Sequence, residues 1–276
     1  MRGVVSFVAC SLLLCTALAA TENGKLLPTA SLAKQVRSLN MLLSDSPPGT
    51  TMESRRRAGF VVRDLISQFI VDQMAANPDI SQSQLRKQLQ AILCSSPNDE
   101  CDCDHPPYVL GNTWGSKQGT HQFVVTYVLS LGFMGGKGSI TAVESYLSEN
   151  GKVRRSSRGG AEFDGYMVNF QMVAQFYDPN QIWVLAWGTV QGASGRGLNG
   201  QAMIYGVDAD SVKPVWDAPR LDNITAQRNA VGWEVAYADH DLLYGNDPKP
   251  YFLDVYEVAY LKRTFSRVVH YRHPEN

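Results

Sequence analysis

Two groups of residues bring together side chains of the types that do chemistry. Cys94, Cys101, Cys103 and His105 crowd into one short stretch. Three thiolates and an imidazole are donors suited to a tetrahedral zinc site. The Cys101–Cys103 step is also of a kind that takes copper(I), a soft ion. Against a metal, the usual Cys-x-x-Cys pair, with two residues between the cysteines, is lacking. Asp99, Glu100, Asp102 and Asp104 also surround the thiols and, as like charges, disfavour their ionisation. The stronger expectation is a disulfide from Cys94 to Cys103, with Cys101 as the alternative, leaving one thiol over. No cofactor is expected.

The second group is Asp239, His240 and Asp241, with Glu234 on the preceding strand pattern. Carboxylates flanking an imidazole can raise its basicity, and Glu234 or Asp164 can serve as a further acid or base. Neighbours on a strand point to opposite faces, so the triplet converges only on a loop, and Gly245-Asn246-Asp247-Pro248 makes a loop the expected setting. Glu234, Asp239, His240 and Asp241 are the candidates for hydrolytic chemistry. A solvated polar loop is the plainer expectation.

Two glycine-rich stretches are excluded as sites. The run from Gly132 to Ser139 puts Lys137 one residue too early for a phosphate-binding loop, and Gly138 separates it from Ser139. Ser194 does not stand in the Gly-x-Ser-x-Gly spacing that exposes a nucleophile at a sharp turn. Basic spots occur at Arg55-Arg56-Arg57 and at Arg154, Arg155 and Arg158; a solvated face is the expected setting for both, and binding of an anionic polymer the sharper one. Five tryptophans and twelve tyrosines could line a recognition face, although most stand where strand packing accounts for them. Asn223-Ile224-Thr225 is a glycosylation sequon.

The compartment follows from the N-terminus. Arg2, an apolar run from Val4 to Leu14 and Ala17-Leu18-Ala19 have the layout of a cleavable export signal over residues 1–19. The apolar run falls short of the roughly 20 residues that a spanning helix needs, and no later stretch is long and apolar enough. A secreted or periplasmic chain without a transmembrane segment is therefore expected. In an oxidising compartment cysteines pair, and this decides for the disulfide. The 25 lysines and arginines nearly balance the 26 aspartates and glutamates, so charge gives no reason to expect nucleic acid as a partner. Hydrophobic content of 44% and charged content of 18% are those of a folded chain.

The elements that must position these residues fall into two parts. Leu32, Val36, Leu39 and Leu43 recur at helical spacing until Pro47-Pro48-Gly49. A second helix is predicted from near Thr51 to about Ala76, with the stripe Phe60, Val61, Leu65, Ile66, Phe69, Ile70 and Met74, stopped by Asn77-Pro78. Ser81 and Gln84 form a capping-box pair opening a third, whose face is Leu85, Leu89, Ile92 and Leu93.

From Pro107 the period becomes alternating. Strands are predicted through Phe123–Leu131, Val168–Phe176, Ile182–Val190 (apolar on both faces), Val231–Tyr237 and Tyr251–Leu261. Asn150-Gly151 is the strongest hairpin signal. Strand–turn–strand units near Tyr146, Tyr205 and Tyr256 recur at uneven spacing, which suits a sandwich with repeated hairpins or, less economically, a few propeller-like blades.

The expected fold class is α+β: a signal peptide at 1–19, a helical segment with a cysteine-rich linker at 20–104, and a mainly antiparallel β domain at 105–276, as a sandwich or incomplete propeller. Absence of a catalytic spacing, with abundant strands and aromatics, points to a non-enzymatic binding module for a protein or polymer ligand. An extracellular hydrolase using Glu234, Asp239, His240 and Asp241, with or without a metal, is the alternative.

Overall fold

The computed structural model describes residues 32, 34, 51–93, 107–112, 120–130, 139–149, 152–160, 166–176, 181–191, 198–218, 221–238 and 251–272. Among the described residues, the helices Met52–Ala76 and Gln82–Leu93 precede an all-antiparallel β region. Helix α1 (Met52–Ala76) starts at Thr51, whose hydroxyl accepts from the Ser54 amide at 3.1 Å while the Ser54 hydroxyl lies 3.1 Å from the Thr51 amide. It ends at Asn77, as the Asn-Pro pair requires. Helix α2 (Gln82–Leu93) opens on the expected box: Gln84 Oε1 accepts from the Ser81 amide at 2.9 Å, and Ser81 Oγ accepts from the Gln84 amide at 3.2 Å. Leu85, Leu89 and Ile92 are buried, and Leu93 packs beside them half-buried.

Strands β1 (Tyr108–Asn112), β2 (Thr120–Ser130), β3 (Ser139–Glu149) and β4 (Lys152–Gly159) form a four-stranded meander in sequence order. Glu149 pairs with Lys152, so a two-residue connection at 150–151 joins β3 to β4, where the Asn-Gly signal places it. The second sheet contains β5 (Tyr166–Phe176), β6 (Gln181–Gln191), β7 (Leu198–Val207), β8 (Val212–Asp217), β9 (Leu221–Arg228), β10 (Gly232–Ala238), β11 (Tyr251–Ala259) and β12 (Thr264–Arg272). Its order is β12-β11-β10-β9-β7-β6-β5, with β8 paired to β7 beside β9.

Three layers result. Phe123, Val125, Tyr127 and Leu129 of β2 and Ile140, Ala142 and Tyr146 of β3 pack against Ile66, Phe69, Ile70, Leu85 and Leu89 of the helices. Each fully buried aliphatic or aromatic side chain in this layer contributes about 1.5–3 kcal/mol. The opposite face of the same sheet, Val124, Val128 and Val143, meets Val168, Ile182, Val184, Ala186, Met203 and Tyr205 of the second sheet. The two sheets therefore stack, as in a sandwich. Tyr146 lies in the first sheet and Tyr205 and Tyr256 in the second, so the recurring units are hairpins of two stacked sheets.

The second sheet curls around a core of its own. There Trp183, Trp233, Ile204, Val235 and Val258 are buried, with Trp216, Tyr256 and Phe265 packed on them. The curl brings β10 within contact of β5. The Gln171 side-chain oxygen of β5 accepts from the Arg228 amide of β9 at 2.7 Å.

Two sequence readings need adjustment. The alternation from Val168 to Phe176 is broken by register shifts, one between Met172 and Ala174; Phe170 and Met172 face the first sheet, whereas Val173, Ala174 and Phe176 face the curled core. A bulge of this kind turns a strand from one face to the other. The last predicted strand ends at Ala259, and a further strand, β12, follows it. Its alternation is hidden by a second bulge.

Gly160 follows β4 with φ of 92°, and a Cβ there would lie 2.8 Å from the Val143 amide nitrogen. Gly160→Ala is accordingly expected to cost on the order of 1–3 kcal/mol. A lower urea midpoint at unchanged slope would show it, and an unchanged midpoint would contradict the geometry.

Candidate functional site

Two buried carboxylates organise the polar interior. The first, Glu144 on β3, is fully buried on the face toward α1. Its Oε1 accepts from Arg158 Nε of β4 at 2.6 Å, and its Oε2 lies 2.7 Å from the Ser67 hydroxyl of α1 and accepts from the Tyr146 hydroxyl. The Arg158 guanidinium also donates to Ser67 Oγ at 2.6 Å and to Asp64. Tyr127 donates to the Arg63 carbonyl at 3.3 Å. The Glu144–Arg158 pair thus ties α1 to β3 and β4, and Tyr127 ties β2 to the same helix.

Burial works against the Arg158 charge, but the neighbouring Glu144 and Asp64 outweigh it and raise its pKa. Burial, reinforced by the Glu144 charge, pushes the hydroxyls of Tyr127 and Tyr146 well above the ordinary tyrosine range. Held by Ser67, Tyr146 and Arg158, the Glu144 carboxylate works as a clamp between layers. The expected solvated face at Arg154, Arg155 and Arg158 holds for Arg154, which is exposed, whereas Arg158 is largely covered.

The second carboxylate, Asp254 on β11, is 5% exposed and lies near the surface on the curled face of the second sheet. It accepts from His270 Nδ1 at 2.6 Å, from Tyr237 Oη at 3.3 Å and from Arg267 Nη1 at 3.4 Å. A carboxylate only accepts, so Nδ1 carries the proton. Phe252 stacks on Tyr237 at 5.2 Å and on His270 at 5.9 Å, and the Arg272 guanidinium lies 5.8 Å from the Phe252 ring. Burial first, then the Asp254 charge, raises the Tyr237 pKa to about 12. The His270 and Arg267 side chains are half-exposed, at 46% and 52%.

This row is possible because of the bulge in β12. Tyr256 pairs with Arg267 and Val255 with Val269, so Val268 is the extra residue. The extra residue puts Arg267, His270 and Arg272 on one face despite their uneven spacing. Ser266, Val269 and Tyr271 take the other, beside Leu253 and Val255 of β11.

The same hairpin is where the surface is least ordinary. The exposed large hydrophobic residues among the described residues are Val231, Tyr260, Leu261, Val268, Val269 and Tyr271. Five of the six lie on β12 or the turn before it. Leu261 at the tip is fully exposed and the others are 44–49% exposed. No acidic residue occurs from Val258 to Arg272, whereas Lys262, Arg263, Arg267 and Arg272 do. Arg263 has a φ of 51°, a left-handed conformation that glycine or asparagine adopts at less cost.

The residues singled out from sequence are distributed differently. Glu234 lies on the opposite face of β10 from Val235, paired with Val255, and its Oε1 accepts from Gln227 Nε2. It therefore faces away from Asp254. Asp239, His240, Asp241 and Asp164 lie outside the described residues, as do Cys94, Cys101, Cys103 and His105 and residues 1–19. Among the described residues no cluster of His, Cys, Asp and Glu has the makeup of a metal site, and no helix is long and apolar enough to cross a membrane. Glu144 and Asp254 escaped the sequence reading because each is one acid in an otherwise ordinary strand. The available signal was their phase, each standing in line with residues of a buried face. Comparison with family models, curated proteins and solved structures finds no match to the chain. The fold itself defines a class: an α+β protein with a helical pair on stacked antiparallel sheets.

Two outcomes test these assignments. Arg158→Met leaves the Glu144 charge buried and unpaired, and is expected to cost about 3–5 kcal/mol. Adding Glu144→Gln should recover part of that loss in a denaturation cycle; strict additivity would mean the two do not interact.

The second outcome is alkaline. The unfolded chain loses tyrosine protons near pH 10, and the folded chain holds those of Tyr127, Tyr146 and Tyr237 to higher pH. Stability is thus complete below about pH 10 and falls as pH rises, through about 12 for Tyr237. Tyrosinate absorbance of Tyr237→Phe should lack one transition near that pH; an unchanged titration would refute the assignment.

Proposed function

We propose that the chain is an exported, non-enzymatic binding module that meets a protein or polymer ligand through the β11–β12 hairpin. The observation that carries this reading is the gathering of Tyr260, Leu261, Val268, Val269 and Tyr271 on one basic hairpin. Folded surfaces scatter single hydrophobic residues, whereas their concentration on one element is a mark of an interaction surface. The lone arginine in a left-handed conformation at the tip adds support, because that strain is retained in favour of a charge.

Export rests on the leader at residues 1–19, and places the protein outside the cell or in the periplasm. With it goes a disulfide from Cys94 to Cys103 or Cys101. A hydrolase built on Asp239, His240, Asp241 and Glu234 draws less support, because Glu234 points away from the basic, aromatic face and is held by Gln227.

The binding reading is tested in the exporting cell. A photo-crosslinking amino acid at position 261 or 269 should yield a discrete adduct, and one at the exposed position 149 should not. Equal labelling at all three, or none at 261 and 269, would sink it. N-terminal sequencing of the exported protein should begin at Ala20 or Thr21. Thiol labelling of the non-reduced chain should modify one cysteine, and three modified cysteines would remove the bridge.

A further inference from the structure

We infer that Arg267 and His270, both held on Asp254, bind the oxyanion of a sulfate or phosphate ester on a soluble ligand, and that binding places a second proton on His270. The inference goes beyond the apolar patch at the hairpin tip. It concerns the curled face of the sheet, where Asp254 is buried and its two basic partners are half-exposed.

Asp254 takes one nitrogen from each group, His270 Nδ1 on Oδ1 and Arg267 Nη1 on Oδ2. The remaining nitrogens, His270 Nε2 and Arg267 Nε and Nη2, have no hydrogen-bond partner among the described residues. Tyr237 also donates to the carboxylate, and Phe252 stacks on the imidazole, so the ring is held in one orientation. A guanidinium with donors to spare, beside an imidazole fixed in this way, is a seat for an anion once the ring is charged.

The tautomer sets the proton balance. Nδ1 directs its proton to Asp254, so the neutral ring carries a lone pair at Nε2, which repels an anion. Only the doubly protonated ring donates from Nε2. An anion that arrives at a neutral ring therefore brings a proton onto it. The titratable and charged groups facing the ring are Asp254 of β11, the Tyr237 hydroxyl of β10, and Arg267 and Arg272 of β12. Asp254 offsets Arg267, and the charged imidazole supplies the excess that draws a monoanion.

Geometry favours a tetrahedral group. Arg267 pairs with Tyr256 and His270 with Asp254, so the two stand in successive rows of the sheet, about 7 Å apart at the backbone. A flat carboxylate suits one guanidinium edge, whereas the oxygens of a sulfate or phosphate spread in three directions and reach both groups. Val269 and Tyr271 lie exposed on the other face of β12, so a flat lipid surface cannot meet them and the two basic groups together.

The test uses the full exported chain, with methyl sulfate and dimethyl phosphate as probes. Both stay monoanionic from acid to neutral pH, so any pH dependence belongs to the protein. Followed by the 15N signals of the histidine rings, binding should saturate, with the tighter probe identifying the ester. It should be about tenfold tighter at about pH 5.5 than at about pH 8, either side of the range in which imidazole takes its second proton. His270→Gln should abolish that pH dependence, and Arg267→Gln should weaken binding at both values while keeping it. Near-ultraviolet circular dichroism from the stacked Trp233–Tyr256 pair reports folding of each variant. A readout that needs no variant is the gain of a second proton by one imidazole as the probe is added at fixed neutral pH.

Binding that ignores pH, or that survives both substitutions unchanged, would overturn the inference. Acetate binding as tightly as the esters would remove the tetrahedral class. Retention on vesicles of phosphatidylglycerol and phosphatidylcholine, lost in His270→Gln, would overturn the soluble source. If adducts form at positions 261 and 269 in the cell while neither ester binds, the inference falls and the binding surface stands. If an ester binds without adducts, the surface at the tip falls and the anion site stands.

Discussion

The four-stranded sheet is apolar on both faces, and the rest of the architecture follows from covering them. On β2, Phe123, Val125, Tyr127 and Leu129 face one way and Val124 and Val128 the other. Such a sheet cannot leave either side in water. The helices cover one face and β5, β6 and β7 cover the other, which gives three layers with the first sheet in the middle. Strand β6 carries the same constraint into the second sheet, with Ile182, Val184 and Ala186 against the first sheet and Trp183 and Leu185 in the curled core.

The two buried acids have opposite consequences because of where they stand in these layers. Glu144 lies between a helix and a sheet, and it joins Ser67 of α1 to Tyr146 of its own strand and Arg158 of the neighbouring one. A charge so placed is costly unless fully paired, so it favours one register of helix on sheet over slid alternatives. Asp254 lies near the edge of the other sheet. Its His270 and Arg267 partners are half-exposed, and holding them fixes a row of imidazole, guanidinium and aromatic groups on the solvent-exposed part of the curled face.

The outer face of the second sheet is only partly covered. The first sheet lies over β5 to β7, and the uncovered strands β11 and β12 retain Val269 and Tyr271 at the surface. The hairpin is thus poorly covered, and its second strand and turn are basic, with no acidic residue from Val258 to Arg272. These two properties have separate causes, one in layer geometry and one in composition, and their coincidence gives the surface its chemical character.

Much of the architecture was legible in the chain itself. Ser81 and Gln84 marked the start of α2, Asn77-Pro78 the end of α1, Asn150-Gly151 the hairpin between β3 and β4, and the two-faced run from Ile182 a central strand, because caps, turns and periodicity act over a few residues. The α+β class followed from the change of period near Pro107. The site was not legible. Glu144 and Arg158 stand fourteen residues apart and Asp254 and His270 sixteen, with Ser67 seventy-seven from Glu144, so no short motif contains them. Strand β12 was hidden because one bulged residue, Val268, breaks the alternation by which a strand is recognised, and only its pairing with β11 restores the phase. The sequence by itself determined the two helices, most of the strands, and the apolar faces wherever no bulge interrupts the period. Tertiary structure alone decided which acid meets which base, because that depends on sheet register and layer contact between residues far apart in the chain.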